Sequence, residues 1–325
     1  MNGNGGLVTV FGGSGFVGRH TVSALARKGY RVRAAVRRPD LAGHLQPMGS
    51  VGQIHAVQAN VRYPQSLKAA LEGAEAAVNL VAILSPVGKQ TFDAVHVDGA
   101  RAVARAAREA GIKRFVHISA IGASKSSRAN YGRTRALGEQ AVIEEFPGSI
   151  IIRPSIVFGP EDEFFNRFAS MAVMSPFLPL IGGGKTKFQP VYVGDLAAAI
   201  ANAIAGAGTP GTVYEAGGPE VFTFRRLLEL TQEYTGRHRL WLRMPAFAAK
   251  LQAILTSPLP NALRPITLDQ INMLQADNIV SDAAKTESRT LESLGVSPLT
   301  SVASIVPQQL ERFQPKGQYA HYRSS

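Results

Sequence analysis

Short apolar runs alternate with longer helical segments along residues 1–160 of the chain. Six of these runs are rich in β-branched residues and are mostly continuously apolar, as expected for parallel strands covered on both faces. They read LVTVFG, YRVRAAVR, IHAVQAN, AAVNLVAI, RFVHISA and SIIIRPSIVFG. Between them, RHTVSALARKG and GARAVARAAREAG place alanine and valine on one helical stripe, and each ends at a glycine suited to a helix C-cap. The pattern predicts a doubly wound parallel α/β sheet.

The pattern changes after residue 160 to proline-interrupted segments, which predict a smaller C-terminal α/β lobe over 161–314. Two helical stretches, DLAAAIANAIAG and TFRRLLELTQEYTG, and short strands such as TVYEAGG belong to this region, and some of its sheet elements are expected to return to the first domain. The polar tail over 315–325 is expected to be loose.

One later helix carries a marked apolar stripe. The segment from Pro245 to Leu255 is bounded by prolines, and its apolar residues follow the spacing of one helical face: Phe247, Leu251, Ile254 and Leu255. Two interpretations stay open. The stripe packs into the protein's own second lobe, or it docks on a membrane-proximal subunit or anionic headgroups with Lys250 and Arg243 at its rim.

Composition narrows the classes of partner. Lys and Arg number 35 against 23 Asp and Glu, a formal net charge of +12, which predicts attraction to a phosphorylated cofactor, an anionic membrane surface, a partner subunit or nucleic acid. No nucleic-acid recognition motif is present, so no nucleic-acid partner is expected. The seven histidines have no ligand spacing, so no metal site is expected.

Features that the sequence lacks argue against further classes of chemistry and of targeting. The chain contains no cysteine, which excludes disulfides, thiolate catalysis and cysteine-ligated metals, and a reducing compartment fits this composition. The N-terminus MNGNGG has the features of neither a signal nor a transit peptide. The apolar segment from Met171 to Gly184 is interrupted by Pro176 and Pro179 and is too short to span a bilayer.

The stretch VTVFGGSGFVGRH joins the first predicted strand to the first predicted helix through a glycine-rich loop. In this context Gly13 permits the tight turn, Gly15 lets the backbone approach a pyrophosphate, and Gly18 lets the helix pack on the sheet. The helix N-terminus adds free N–H groups and a positive dipole end. The loop therefore predicts a Rossmann-type dinucleotide site, with a cofactor-binding segment formed by Gly12, Gly13, Ser14, Gly15, Phe16, Val17 and Gly18.

The end of the second strand discriminates between the two nicotinamide dinucleotides. An NAD binder usually carries an acid there, which accepts a hydrogen bond from the ribose 2′-OH, whereas this chain reads VRRPD, with Arg37 and Arg38 in that place. A guanidinium can hold a 2′-phosphate that an acid would repel. We therefore predict that NADP(H) is preferred, while Asp40 keeps NAD(H) possible.

Several motifs occur in an order that resembles the atypical and extended short-chain dehydrogenase/reductases, over about Leu7 to Gly236. These are FGGSGFVG, NLVAI, HVDGARAVARAAREAGIKRFVHIS, YGRTRALGE, IIIRPSIVFGPED and QPVYVGDLAAAI. Three further segments, LQPMGSVGQI, FGPEDEFFNRFASM and KFQPVYVGDL, are similar to the NAD(P)H-binding accessory subunits of mitochondrial respiratory complex I and their bacterial counterparts.

The resemblance assigns roles to residues outside the glycine loop. Active members use a Tyr-x-x-x-Lys pair one helical turn apart with a Ser or Thr hydroxyl, whereas this chain has Tyr131 with Arg135 in the lysine place and Ser119 as the candidate hydroxyl. This departure favours a site that holds the cofactor over a site that catalyses a reaction. The resemblance also implies cofactor contacts from Asn60, Val61, Val81, Ala82, Pro154 and Ile156.

On this resemblance the expected function is an accessory subunit of the proton-pumping NADH:quinone oxidoreductase that holds NADP(H) structurally, with little or no turnover. The expected partners are subunits of that complex, with an anionic membrane surface as a further candidate. The expected location is the cytoplasmic side of the bacterial inner membrane, reached through the complex. The alternative is a free-standing NADP-dependent reductase, dehydrogenase or epimerase of the extended short-chain family, and fold alone does not separate the two.

Overall fold

Seven parallel strands form the central sheet of the structure, a computed structural model that describes residues 5–256, 267–315 and 317. With strands and helices numbered in chain order, the sheet contains β1 (Gly5–Phe11), β2 (Tyr30–Val36), β3 (Ile54–Gln58), β4 (Ala76–Asn79), β5 (Arg114–Ile118), β6 (Ile150–Pro154) and β11 (Val213–Ala216). Their spatial order is β3-β2-β1-β4-β5-β6-β11, and every neighbouring pair is parallel. The predicted doubly wound parallel sheet is confirmed, and the direction of winding reverses between β1 and β4.

The sheet belongs to the first of two compact units, which consists of residues 1–154, 193–216 and 280–298. Its helices are α1 (Phe16–Arg27), α2 (Pro64–Leu71), α3 (Gly99–Glu109), α4 (Asn130–Glu145), α6 (Val193–Ala205) and α10 (Asp282–Thr286). The glycines predicted to follow α1 and α3 do so in the left-handed region, Gly29 at φ +86° and Gly111 at φ +69°. A core of small and apolar side chains from α2, α3 and the sheet fills the space between them.

Two apolar runs end earlier than the sequence predicts. The run AAVNLVAI forms a strand only as far as Asn79, and its last four residues continue as a loop at the carboxyl end of the sheet. The run SIIIRPSIVFG divides into β6 and a separate two-residue strand, β7 (Val157–Phe158), because the chain passes from the first unit to the second after Pro154. Apolar composition alone does not report where backbone pairing stops.

The second unit consists of residues 155–192, 217–279 and 299–325. Besides β7 it contains the strands β8 (Phe177–Ile181), β9 (Lys187–Phe188), β10 (Val191–Tyr192), β12 (Phe222–Thr223) and β13 (Leu240–Met244). They pair two by two, β7 with β10, β8 with β13, and β9 with β12. Its helices are α5 (Phe165–Met174), α7 (Phe224–Thr235), α8 (Ala246–Leu255), α9 (Leu268–Met273) and α11 (Val302–Leu310).

A cluster of aromatic and aliphatic side chains forms the core of the second unit. Its buried members come from α5, α7, α11 and the short strands, with Phe158, Phe165, Phe188 and Phe224 as the large rings. The helix DLAAAIANAIAG and the strand TVYEAGG, which sequence analysis groups with the region after residue 160, are α6 and β11 of the first unit.

The predicted proline-bounded helix is α8. Its alanine side, Ala249 and Ala253, is buried against Ile181 and Ile271, whereas Phe247 is 75% and Leu251 is 57% exposed. The side chains of Ile254 and Leu255 lie outside the described residues, as does the tail predicted over 315–325 apart from 315 and 317. Within the described residues, no helix is both long enough and apolar enough to cross a membrane.

Candidate dinucleotide site

The glycine loop joins β1 to α1, as predicted, but the left-handed residue in it is Gly12 and not Gly13. Gly12 has φ +82°, a conformation that a residue with a side chain rarely adopts. Its N–H donates to the Ala35 carbonyl of β2 at 3.0 Å, and its carbonyl accepts from the Gly15 N–H at 3.1 Å. This last hydrogen bond closes a tight turn over residues 12–15, in which Gly13 is a central residue and Gly12, at the start, is the residue with positive φ.

Gly13 and Gly18 are glycines because the loop and helix pack closely. A Cβ at Gly13 would lie 3.0 Å from the Ala34 Cβ, and a Cβ at Gly18 would lie 2.1 Å from the Gly12 carbonyl oxygen. Gly15 differs, since a Cβ there would meet only the Gly12 oxygen at 3.4 Å. Space in the fold therefore does not require glycine at 15.

The N-terminus of α1 is suited to an anion. Gly15 precedes the helix without a side chain that could cap it, and the first turn, which begins with Phe16 and Val17, contains no acid. The first N–H groups of a helix have no intrahelical partner and lie at the positive end of its dipole. Together with Ser14 and Gly15, this helix end offers a phosphate-binding position.

A cleft of about 240 Å³ lies beside the loop, at the carboxyl ends of β1 to β4. Ligands of open α/β sheets bind at this edge, where the winding reverses. The cleft is lined by eight residues that the sequence nominates: Gly12, Ser14, Gly15, Arg37, Asn60, Val61, Val81 and Ala82. It is also lined by residues that the sequence does not nominate: Phe11, Ala35, Val36, Ala59, Arg62, Leu80, Ile83, Gln90 and Val95. Most of these additional residues lie one or two positions along the chain from a residue that the sequence predicts.

The two arginines after β2 have different surroundings. Arg37 lines the cleft, and its Nη1 donates to the Gln90 Oε1 at 2.6 Å. The Arg38 guanidinium instead pairs with the Asp40 carboxylate through Nε at 3.0 Å and Nη2 at 2.7 Å, and it is not among the residues that line the cleft. The pair lowers the pKa of Asp40 through this hydrogen bond. Of the two nominated cations, only Arg37 borders the cleft.

The cleft is a positively charged environment. Arg37 and Arg62 both line it, and none of the described residues that line it is acidic. The Asn60 Oδ1 is engaged with the Arg62 backbone N–H at 3.1 Å, which fixes the turn after β3. A carboxylate that would accept from a ribose 2′-OH is therefore absent from this lining.

Tyr131 lies at the start of α4 in a group of rings. It makes edge contacts with Phe92 at 6.2 Å and with His96 at 5.4 Å between ring centroids. His96 belongs to a π-helical turn, Asp93–Asp98, that runs directly into α3, and only 1% of it is exposed. This histidine could not be singled out from the sequence, because a lone histidine in an apolar helix has no distinguishing pattern.

The proton positions on His96 follow from its hydrogen bonds. The Ile83 N–H donates to Nε2 at 3.1 Å, so Nδ1 carries the proton and faces the Thr134 hydroxyl at 3.0 Å. Burial, and next the positive charge of Arg135, lower the pKa of His96 to about 3. The imidazole beside Tyr131 is therefore neutral around pH 7 and does not serve as a proton donor of ordinary strength.

Arg135 is buried, with 3% of it exposed, one helical turn after Tyr131. Its Nη2 donates to the Ile118 carbonyl at the end of β5, and its Nε has no hydrogen-bond partner among the described residues. The Ser119 hydroxyl that follows β5 is likewise buried and without a partner. Two buried polar atoms without partners are costly in a folded protein, and they fit a polar ligand beyond the end of β5.

His117 of β5 completes the polar surroundings of Arg135. The Asn79 side-chain amide donates to its Nδ1 at 3.2 Å, and burial, followed by Arg135 and His96, lowers the pKa of His117 well below its usual value. The lowered pKa values of His117 and His96 keep both imidazoles neutral around pH 7 near the Arg135 charge.

Pro154 and Ile156, the last two residues predicted to contact the cofactor, belong to different units. Pro154 ends β6 in the first unit, and its carbonyl accepts from the Ile121 N–H at 2.9 Å. Ile156 belongs to the second unit, where its N–H donates to the Asn278 Oδ1 at 3.1 Å.

Comparisons with known proteins agree with this geometry. A family model described as NAD(P)H-binding matches residues 12–145. The chain is 37% identical over 292 residues to NADH dehydrogenase (ubiquinone) 1 alpha subcomplex subunit 9, mitochondrial, of Arabidopsis thaliana, which covers 86% of this chain and 72% of that protein. It is 34% identical over 299 residues to the protein of the same name in Rattus norvegicus, with 91% and 77% covered. The chain belongs to the alpha subcomplex subunit 9 family.

Membership in the alpha subcomplex subunit 9 family confirms the narrower resemblance, and the NAD(P)H-binding domain supports a nicotinamide cofactor. The wider fold is shared with enzymes. A dTDP-glucose 4,6-dehydratase from Streptomyces venezuelae, solved with NAD and TYD bound, matches with a TM-score of 0.72 over 98% of both chains at 21% identity. At that identity the likeness concerns the fold alone, and it agrees with the doubly wound parallel α/β architecture.

Proposed function

We propose that this chain is an NADP(H)-binding accessory subunit of the proton-pumping NADH:quinone oxidoreductase, and that it holds the cofactor as a structural element. The observation that carries the cofactor choice is Arg37, which lines the cleft at the end of β2 where an NAD-binding chain usually carries an acid. Membership in the alpha subcomplex subunit 9 family supports the partner. Bound dinucleotide would stabilise the fold by mass action without turnover.

Each part of the site fits the chemistry of one part of the dinucleotide. The glycine loop and the N-terminus of α1 would hold the pyrophosphate, and Arg37 would hold the 2′-phosphate. Asn60 and Val61 lie where the adenine would sit. The partnerless polar atoms of Ser119 and Arg135 would receive the hydroxyl groups of the nicotinamide ribose.

The surroundings of Tyr131 support a structural role. A bound nicotinamide dinucleotide supplies hydride chemistry, but proton transfer requires a side chain with a suitable pKa. Arg135 stands in the lysine place with its Nη2 on the Ile118 carbonyl, and His96 beside Tyr131 is neutral. The neutral imidazole of His96 therefore supplies no acid near pH 7, which supports a structural role for this group of residues.

The second unit carries the surface that we assign to docking on a neighbouring subunit of the complex. Exposed apolar side chains come from β8, β13 and α8, with Phe177 at 47%, Leu240 at 67% and Phe247 at 75%. Phe177 and Leu240 are register partners on β8 and β13, so they share one face of that strand pair. Apolar groups exposed on adjoining elements mark protein interaction sites.

This assignment places the chain at the cytoplasmic side of the bacterial inner membrane, attached through the complex. Arg243 and Lys250 lie on β13 and α8, where they could also meet anionic headgroups. Moderate salt should leave the attachment intact, since apolar protein contacts are screened little. A chain recovered wholly in the soluble fraction at low salt, outside any large assembly, would favour the free-standing reductase.

Cofactor choice is tested by titrating NADPH and NADH into wild type and Arg37→Asp. We expect the substitution to weaken NADPH far more than NADH, because it replaces the cation nearest the proposed 2′-phosphate with an anion. Arg38→Asp is the matched control, since Arg38 pairs with Asp40 and does not line the cleft. Equal weakening of both dinucleotides in Arg37→Asp would contradict the assignment.

A further inference from the structure

A short turn lies in the chain after β4, and its last residue lines the cleft. Val87 and Gln90 form an antiparallel bridge, with the Val87 N–H on the Gln90 carbonyl at 3.1 Å and the Gln90 N–H on the Val87 carbonyl at 3.0 Å. Gly88 between them has φ +54°, as a tight turn requires. Of these residues, Gln90 lines the cleft.

Two arginines from the strand ends reach this turn. The Arg37 Nη1 donates to the Gln90 Oε1 at 2.6 Å, and the Arg62 Nη1 donates to the Lys89 carbonyl at 3.3 Å. Arg37 follows β2 and Arg62 follows β3, so the turn is tied to both neighbouring strands of the sheet. The Arg62 guanidinium also lies 5.7 Å from the centre of the Tyr63 ring, which holds it in place.

The partner of Arg37 is unusual because it is a neutral amide, that of Gln90, and not a carboxylate. An amide oxygen accepts a hydrogen bond from a guanidinium without neutralising its charge, whereas a phosphate carries the opposite charge and can accept two parallel hydrogen bonds from the guanidinium. A phosphate therefore displaces Gln90 from Arg37 readily. An amide also carries an NH₂ group, so Gln90 can turn and donate to the same phosphate, which a carboxylate cannot do.

We propose that Gln90 is a specificity-determining residue, which holds Arg37 in position when the cleft is empty and then joins it on the cofactor's 2′-phosphate. This inference rests on the proposed NADP(H) preference and extends it to a residue 53 positions away along the chain. The turn from Val87 to Gln90 then closes on NADP(H) and not on NAD(H), because only the former supplies the bridging anion.

The test compares 2′,5′-ADP with 5′-AMP, two fragments that differ only in the 2′-phosphate, by calorimetric titration of the full chain. Wild type should favour 2′,5′-ADP. Gln90→Glu should weaken 2′,5′-ADP by about tenfold or more, the size of one hydrogen bond to a charged group, and should change 5′-AMP by less than about twofold. Gln90→Ala removes the donor without adding a charge and should weaken 2′,5′-ADP to a smaller extent.

Val87→Glu is the matched control, because it adds the same charge to the same turn at an exposed side chain that does not line the cleft. It should leave the ratio of the two affinities unchanged. Wild type that binds both fragments equally would overturn the NADP(H) preference itself. A second outcome is that wild type favours 2′,5′-ADP while Gln90→Glu leaves the ratio of the two affinities and the melting temperature unchanged. That outcome would overturn only the role of Gln90. If Val87→Glu lost as much affinity for 2′,5′-ADP as Gln90→Glu, the loss would come from long-range charge. That result would likewise overturn the role of Gln90.

Discussion

Substituting Gly18 by alanine tests the packing of the glycine loop. The added Cβ would lie 2.1 Å from the Gly12 carbonyl oxygen and 2.8 Å from the Gly13 carbonyl carbon, both backbone atoms. Relief requires the loop to move away from α1 by more than about 1 Å, since carbon–oxygen contacts become favourable only beyond roughly 3 Å. Overpacking of this kind costs about 1–3 kcal/mol, which lowers the melting temperature by roughly 2–4 °C per kcal/mol.

Gly15→Ala is the matched substitution, because its Cβ would make only an ordinary 3.4 Å contact and its φ of −72° suits any residue. Thermal unfolding of the cofactor-free chains should therefore separate Gly18→Ala, destabilised, from Gly15→Ala, near wild type. Adding NADPH at a hundredfold over its Kd should stabilise wild type by about 2.7 kcal/mol and Gly15→Ala much less. Full stabilisation of Gly15→Ala by NADPH would refute the reasoning that this glycine makes room for the pyrophosphate.

Three further predictions concern the ring cluster and the docking surface. Tyr131→Phe should leave the assembly of the respiratory complex intact in cells, whereas an NADPH-dependent turnover lost in this variant would contradict the structural role. Burial and Arg135 depress the pKa of His96 to about 3, against roughly 6.5 in an unfolded chain, so the stability it contributes is present above about pH 6.5 and is lost as pH falls toward 3. In denaturant titrations between pH 6 and 4, wild type should therefore lose up to about 1.4 kcal/mol per pH unit more than His96→Gln, and equal slopes would contradict this. Phe247→Glu should release the chain from the membrane fraction, while Val51→Glu, at a fully exposed apolar position in the first unit, should not.

The central sheet could be predicted from the sequence because its signals are local. Continuous β-branched runs, helical stripes between them and glycines after α1 and α3 each depend on neighbours within a few residues. The resemblance to the alpha subcomplex subunit 9 family was also carried by contiguous segments. The positive φ of Gly12 shows the limit of this reasoning, since a glycine motif does not report which of its residues adopts that conformation.

The cleft required long-range contacts that no local pattern contains. Arg37 and Arg38 are equivalent in the sequence, and only the pairing of Arg38 with Asp40 and of Arg37 with Gln90 distinguishes them. Gln90 lies in a turn far along the chain from β2, so neither its type nor its spacing indicated a role. His96 was missed for the same reason, because its function depends on the rings packed around it.

The most direct test of the account is the native assembly. The tagged chain, expressed at its natural level, is purified from detergent-solubilised membranes, and the copurifying proteins and the released nucleotide are identified by mass spectrometry. We predict that subunits of the NADH:quinone oxidoreductase copurify and that denaturation releases NADP(H), about one molecule per chain. A chain recovered without those subunits, or one that releases only NAD(H), would contradict the proposal.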